Sequence, residues 1–277
     1  MTLLDDQAPD RDQLQQQVQD QVQDYVQDQA QDQDRIQAPG TPEERWRSWS
    51  APRDWEQVPL DDVRSAVIVA AHPDDEILGL GGTIAQLAAA GARLRIVFAT
   101  DGEASHPGST ALPPIQLAAT RRAETEAALA ALGAEDAQII RLQLPDSAVG
   151  AHTEQLVRML SELTTGFDVC AAPWSSDAHP DHEAVGRAAR AAARRTDVTF
   201  WQYPVWMWHW AAPGDRRVPW HSAARIDVPE WALERKRAAI ACHASQVLPL
   251  GPGPGDAPIL PPDELEHFHR GFETVLR

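Results

Sequence analysis

Short apolar runs alternate along this chain with longer stretches of helical period. Residues 65–71 (Ser-Ala-Val-Ile-Val-Ala-Ala) form a continuous run rich in β-branched side chains, as a strand buried on both faces requires. Residues 94–99, 138–142, 168–172 and 198–203 read as further strands. Helices are predicted between them. One covers 83–91, after Gly79-Leu-Gly-Gly82, and one covers 117–132, stopped by Gly133. Another covers 154–163, with Leu156, Met159, Leu160 and Leu163 on one stripe, and an Ala-rich helix covers 182–195. This alternation predicts an α/β, Rossmann-like three-layer domain with a mostly parallel sheet.

The pattern is different at both ends. Residues 1–40 hold thirteen Gln and nine Asp, and from Val18 a Val-Gln-Asp tetrapeptide recurs. The composition reads as a solvated low-complexity extension; the other reading is a weak amphipathic helix. The domain is then expected over 41–277. Thr41-Pro42-Glu43-Glu44 predicts a helix start with Thr41 as N-cap, and Trp46 and Trp49 should clamp that helix to the body. In the variable region near 200–220, Trp206, Trp208 and Trp210 alternate. In an extended segment they would share one face, packing beneath a helix or walling a pocket. The loop 103–114, with His106, follows a strand and should hang over any site there. Beyond Pro261-Pro262 a short terminal helix is expected, and His267 and His269 are not read as ligands.

Charge narrows the function classes. The net charge is −17, of which the first 40 residues carry −7. Nucleic-acid binding needs a basic face, so it is not expected. The chain lacks a basic, apolar leader, and no apolar run approaches the ~20 residues of a membrane span. A cytoplasmic location without a membrane span is therefore expected. Cys170 and Cys242, the only cysteines, make neither a disulfide framework nor a thiolate zinc site.

The candidate chemistry lies at two strand ends. The first strand runs into Ala71-His72-Pro73-Asp74-Asp75-Glu76. The strand at 168–172 runs into Pro173-Trp174-Ser175-Ser176-Asp177-Ala178-His179-Pro180-Asp181-His182. Ligands of parallel sheets sit beyond these carboxyl ends. Imidazole and carboxylate without thiolate suit Zn2+ or another divalent first-row ion. A lone loop His is more often a cap, but two His-Pro-Asp tripeptides, each following a buried strand, point to a metal site. Asp74 and Asp75 can divide the labour of ligand and base. The glycines at 79–82 do not fit a dinucleotide fingerprint, which must follow its strand directly.

The two segments resemble the signature motifs of the LmbE/PIG-L-type metal-dependent N-deacetylases. The likeness continues through Gly81-Gly82, Thr100-Asp101-Gly102-Glu103, Arg121-x-x-Glu124, Leu144-Pro145-Asp146-Ser147, and Lys236 to His243-Ala-Ser-Gln246. It spans roughly residues 60–250. The resemblance implies His72, Asp75 and His182 as zinc ligands and Asp74 as the base that activates metal-bound water. It implies His179 as the group that stabilises the oxyanion or protonates the leaving amine, and Asp181 as the carboxylate that orients a histidine. Arg121 and Asp146 match positions that hydrogen-bond sugar hydroxyls. From the residues alone, Arg121 equally suits a helix-surface ion pair with Glu124 or Glu126, and Asp146 a turn after Pro145. His243 and Gln246 are expected to return to the pocket, or else to end a helix. Glu76 receives no role.

The implied function is zinc-dependent removal of an N-acyl group, acetyl above all, from an amino-sugar-containing small molecule of N-acetylglucosamine type. Two alternatives stay open: a metallohydrolase of another amide or ester, and a non-catalytic carbohydrate-binding or scaffold protein. A homo-oligomer is also left open. Asp74 stands alongside all three implied ligands, which favours the enzyme.

Overall fold

In the computed structural model, residues 35–277 are described, and the tetrapeptide repeats from Val18 lie outside the described residues. The strands are β1 (Glu56–Gln57), β2 (Ser65–Ala70), β3 (Arg93–Phe98), β4 (Gln138–Arg141), β5 (Val169–Pro173), β6 (Thr199–Tyr203), β7 (Ala223–Asp227) and β8 (Phe272–Leu276). They form one sheet in the order β1-β7-β8-β6-β5-β2-β3-β4. Every pairing is parallel except those of β8, which runs against β6 and β7. The chain leaves β2 for β3 on one side, while β5 leads to β6 on the other. The seam between β2 and β5 is therefore the switch point, where such sheets bind ligands.

The helices are α1 (Glu43–Ser48), α2 (Asp75–Ala89), α3 (Pro114–Leu132), α4 (Thr153–Thr164), α5 (Pro180–Thr196), α6 (Met207–Trp210), α7 (Glu230–Cys242), α8 (Ala244–Val247) and α9 (Pro262–Leu265). α2 and α3 pack with α7 on one face of the sheet, and α4 packs with α5 on the other. Strand β2 shows why its run is continuously apolar. Ala66, Ile68 and Ala70 enter one core, and Val67 and Val69 enter the other. The three-layer, mostly parallel α/β architecture expected from the sequence is the one observed. Among the described residues no helix is long and apolar enough to cross a membrane.

Four local expectations are corrected. First, helix α2 begins at Asp75, well before the glycines, and breaks its regular geometry at Leu80. The glycines lie inside it because neighbours press close: a Cβ at Gly79 would stand 2.2 Å from the Tyr203 ring, and one at Gly82 2.5 Å from Val228. Past the break, Gly82 N, Thr83 N and Thr83 Oγ1 all donate to the carboxylate of Glu273 on β8, at 2.6–2.8 Å. Lys236 Nζ of α7 donates to the same carboxylate at 2.6 Å, and both groups are buried.

Second, Thr41 does not cap α1; Pro42 holds that position. Thr41 instead donates through Oγ1 to Ala211 O at 2.6 Å and through N to His209 O at 2.8 Å, tying residues 35–41 to the body. Trp46 does clamp α1, with its Nε1 donating to Trp208 O at 2.9 Å. Third, the short helix expected beyond Pro261 is present as α9 with a 3-10 turn at Glu266–Phe268, but it is not terminal: β8 follows, which with β7 went unread in the sequence. Fourth, the 206–210 segment is not extended; it coils into α6. Trp208 goes into the core, Trp206 faces a cleft, and Trp210 stacks on Trp174 at 6.2 Å.

Candidate metal centre

The centre gathers at the ends of β2 and β5. Past β2, the chain turns through His72, Pro73 and Asp74 into α2. Asp74 has φ 131°, a backbone conformation costly for any residue with a side chain and one that must be held by its surroundings. Past β5, the loop carries Asp177 and His179, and the first turn of α5 carries Asp181 and His182.

His72 and His182 meet there. His182 Nε2 is 3.3 Å from His72 Nδ1 and 3.2 Å from Asp75 Oδ1, and His72 Nδ1 is 3.7 Å from Asp75 Oδ2. Asp75 is fixed through Oδ2, which accepts the N–H groups of Ala71 and His72 at 3.0 and 2.9 Å. That leaves Oδ1 towards the histidines. The far nitrogen of each imidazole faces carboxylates. His72 Nε2 lies 3.2 Å from Asp146 Oδ1 and 3.3 Å from Asp181 Oδ2, and His182 Nδ1 lies 2.8 Å from Asp177 Oδ2. The His179 ring centre is 4.8 Å from that of His72 and 4.7 Å from that of His182. Donor atoms close enough to share one cation are found in His72, His179 and His182, and again in His72, Asp146 and Asp181.

The supporting carboxylates are themselves anchored. Asp181 accepts Ser147 N at 2.7 Å and Val149 N at 3.0 Å. Asp146 accepts Ala104 N at 2.7 Å. Asp177 is fully buried and accepts N–H groups of Val205, Trp206 and Met207. Asp177 stands within the second motif, but its role is not evident from the sequence. The only signal was its place five residues before His182.

Burial opposes charge throughout this centre, so neighbours decide the protonation. Burial works against charging His72 and His182, yet Asp146, Asp181 and Asp75 hold His72 well above its usual range, and Asp75 and Asp177 do the same for His182. Burial raises Asp74, with Arg121 opposing and Asp75 adding to the rise. Asp75 is held low, because the His182 and His72 charges outweigh its burial. Burial pushes His179 well below the usual range, and the charges on His182 and His72 add to that. Four carboxylates around two imidazoles make a centre that calls for positive charge.

Arg121 makes neither of the helix-surface pairs considered from sequence. It is 2% exposed. It donates to Gly102 O at 3.0 Å, to Pro73 O, and to Asp74 Oδ2 at 3.0 Å. Gly102 has φ +69°, and a Cβ there would lie 2.1 Å from Arg121 Nη1, so only glycine lets the guanidinium in.

The cleft above has a volume of about 880 Å3. His72, Asp74, Asp75, Arg121, Asp146, His179, His182 and Gln246 line it, as do Ala104 to Gly108 of the loop expected to overhang. Asp181 lies behind His72. His243 is fully buried, does not line the cleft, and has no hydrogen-bond partner on either ring nitrogen among the described residues. Burial, with the Arg121 charge, lowers its pKa to about 3. Glu76, which burial pushes up to about 8, has one carboxyl oxygen unpartnered.

A family model described as PIG-L, GlcNAc-PI de-N-acetylase, matches residues 67–193. A 1D-myo-inositol 2-acetamido-2-deoxy-alpha-D-glucopyranoside deacetylase of Mycolicibacterium gilvum is 29% identical over 188 residues, covering 59% of this chain and 64% of that protein. This chain therefore spans less than two thirds of that relative's length. An N,N'-diacetylchitobiose deacetylase from Pyrococcus horikoshii superposes with a TM-score of 0.53 at 23% identity, over 69% of this chain and 73% of its own. A 4-carboxy-2-hydroxymuconate hydratase from Pseudomonas putida does so with a TM-score of 0.53 at 21% identity, over 66% and 80%. At such identities both likenesses speak to the fold alone, and the second shows that fold carrying a different reaction.

Proposed function

From a chain that carries a domain of the PIG-L, LmbE-like family, we propose a metal-dependent hydrolase that removes an N-acyl group, acetyl above all, from an amino-sugar-containing small molecule. The observation that carries this reading is the orientation of the two histidines. Each turns one nitrogen to a shared point beside Asp75 and the other to a carboxylate. Metal-binding imidazoles are held in this way.

The ligand set proposed is His72 Nδ1, Asp75 Oδ1 and His182 Nε2. In a tetrahedral zinc site, bonds of ~2.0–2.1 Å separate donor atoms by roughly 3.3 Å. The separations of His182 Nε2 from Asp75 Oδ1, 3.2 Å, and from His72 Nδ1, 3.3 Å, fit that spacing. Zn2+ or another divalent first-row ion held there supplies Lewis acidity, acidifying water towards a pKa of about 7 and polarising an amide carbonyl.

The chain's own residues do the rest. Asp74 faces the cleft beside this set, with one oxygen held by Arg121. It takes the proton of the attacking water as general base. His179 Nδ1 accepts the N–H of Asp181 at 3.3 Å, so its ring proton sits on Nε2. That N–H is the hydrogen-bond donor assigned to the developing oxyanion, and the proton that Asp74 takes from the water is the one passed on to the departing amine. Asp181 and Asp177 keep His72 and His182 in the required tautomers. Arg121 and Asp146 remain candidates for sugar hydroxyls, but each is first bound into the centre.

The proposal is tested by loading purified protein with zinc and assaying acetate and free amine released from N-acetylglucosaminides. Stoichiometric metal with hydrolysis supports it. Metal without amine release from any N-acyl amino sugar directs the search to other amides and esters. No metal uptake removes the hydrolase reading.

A further inference from the structure

A second groove, of about 480 Å3, shares no residue with the cleft of the His/Asp centre. Trp174, Arg187, Arg190, Arg194 and Arg217 line it, and among the described residues no acidic side chain does. Arg187, Arg190 and Arg194 stand three and four residues apart on α5, so they share one exposed face of that helix. Arg217 reaches in from the loop before β7. Arg187 and Arg217 each pair with a carboxylate of their own segment, Glu183 at 3.1 Å and Asp215 at 2.6 Å. Arg190 donates to the neutral Gln202 Oε1 and lies over the Phe200 ring. Among the described residues neither Arg190 nor Arg194 forms an ion pair. In a chain of net charge −17, the groove is a concentrated positive surface that calls for an anion.

The chain itself supplies one. Residues 1–34, which precede the described part, hold nine Asp and a single basic residue, Arg11. Asp20, Asp24, Asp28 and Asp32 recur every four residues, close to the interval at which α5 presents its arginines. The two regions meet at Trp210. The guanidinium of Arg35, the first described residue, lies 5.5 Å from the centre of that ring, and the Arg217 guanidinium lies 4.7 Å from it. Trp210 in turn stacks on Trp174 of the groove at 6.2 Å. Asp34 is therefore one residue from the groove's edge, and no linker is needed. An extended chain from Asp20 to Asp34 reaches roughly 50 Å, whereas Arg187 to Arg194 covers only about 10 Å of helix. We propose that the groove docks the aspartate-rich segment 20–34 of its own chain, with carboxylates of the repeat against Arg190 and Arg194. Residues 36–40, which line the cleft, would then be held from both ends, by the groove and by His209 Nε2 on Ala38 O. The inference uses no residue of the His/Asp centre and stands apart from the hydrolase reading.

Tyr25 stands inside that segment, and chymotrypsin cleaves after it. The experiment follows this cut in the full chain by mass spectrometry, beside a synthetic peptide of residues 15–34 in the same buffers. The peptide gives the rate of the undocked sequence and corrects for the protease's own response to salt. A tethered segment meets its groove at an effective concentration of millimolar order, so a Kd of about 0.1 mM would slow the cut about tenfold. That protection should vanish in 1 M salt, where the screening length falls to about 3 Å from about 10 Å at 0.1 M. Arg190→Glu with Arg194→Glu should be cut at the peptide rate at either salt. Adding Asp28→Lys and Asp32→Lys to that variant should restore protection, judged against a peptide with the same changes. Circular dichroism checks that each variant folds.

Salt-sensitive protection that the arginine variant loses and the charge swap regains establishes the docking. A wild-type chain cut as fast as the peptide at 0.1 M salt overturns it. Equal protection in wild type and the folded arginine variant also overturns it, because the segment then lies elsewhere. Protection that fades on dilution assigns the groove to the tail of a second copy and overturns docking within one chain.

Discussion

His182 Nδ1 lies 2.8 Å from Asp177 Oδ2, and the Asp177 carboxylate also accepts the backbone N–H groups of Val205, Trp206 and Met207. One buried side chain thus sets the ring plane of a proposed metal ligand and the turn that presents Trp206 to the cleft. Asp177→Asn should keep much of the turn while weakening the pull on the imidazole N–H. Metal affinity is expected to fall about 10- to 100-fold, the usual cost of losing such a partner. Competition with a chelating dye measures it. An affinity within a factor of two of wild type would leave Asp177 a purely structural anchor.

Removing a ligand and removing the base should have different signatures. His182→Ala should lose nearly all bound zinc by plasma mass spectrometry, because it takes away Nε2, 3.2 Å from Asp75 and 3.3 Å from His72. Asp74→Asn should keep its metal, since Asp74 contacts Arg121 rather than the imidazoles. It should lose about 100- to 10,000-fold in kcat, the range of general base catalysis. If the Asn variant loses metal and activity together, Asp74 belongs among the ligands instead.

The buried Lys236–Glu273 pair gives a stability prediction independent of function. Lys236 is 2% and Glu273 4% exposed. Lys236→Met would leave the Glu273 carboxylate in the core with only Gly82 N, Thr83 N and Thr83 Oγ1 as donors. Breaking a buried pair this way costs about 3–5 kcal/mol. Adding Glu273→Gln should restore part of it. Urea denaturation reads both, and a single-variant cost below about 1 kcal/mol would contradict the assigned burial.

Much of this fold was legible because its parallel strands are covered on both faces. Residues 65–70 and 169–173 read as uninterrupted apolar runs for that reason. The motifs at their ends then lay at the switch point by topology alone. What escaped depended on contacts made far along the chain. Helix α2 carries glycines inside it because Tyr203 and Val228 press too close for a side chain and Glu273 accepts Gly82 N, and no local propensity records that. The turn α6 coils because Asp177 gathers three successive amides, so the tryptophan alternation was misleading. Strand β8 lies in a segment whose prolines drew attention to a helix, and its reversed direction breaks the alternating rule. From the residues alone Arg121 suited a surface ion pair equally well, and that pair is not made because Gly102 opens a path for the guanidinium into the centre.

His209 Nε2 donates to Ala38 O at 2.8 Å while its Nδ1 lies 2.7 Å from Glu264 Oε2, which makes the strap of residues 35–41 beside the cleft sensitive to pH. Glu264 holds the His209 pKa above its usual value, with burial opposing and the Ala38 carbonyl and Asp263 adding support. A group raised in the folded state contributes stability that is complete below its unfolded pKa, about 6.5, and is lost as pH rises through the raised value. The strap should therefore be anchored at pH 6 and loosened progressively on the alkaline side of 6.5. The expected readout is faster proteolysis within residues 35–41 at pH 8.5 than at pH 6, after correction for the protease's own pH dependence. Glu264→Gln removes the carboxylate that raises His209, so cleavage should already be fast at pH 6 and change little with pH. If wild type and Glu264→Gln share one pH profile, the clamp does not hold the strap. Gly40 against the His209 ring and Thr41 on Ala211 would then be the contacts that hold it.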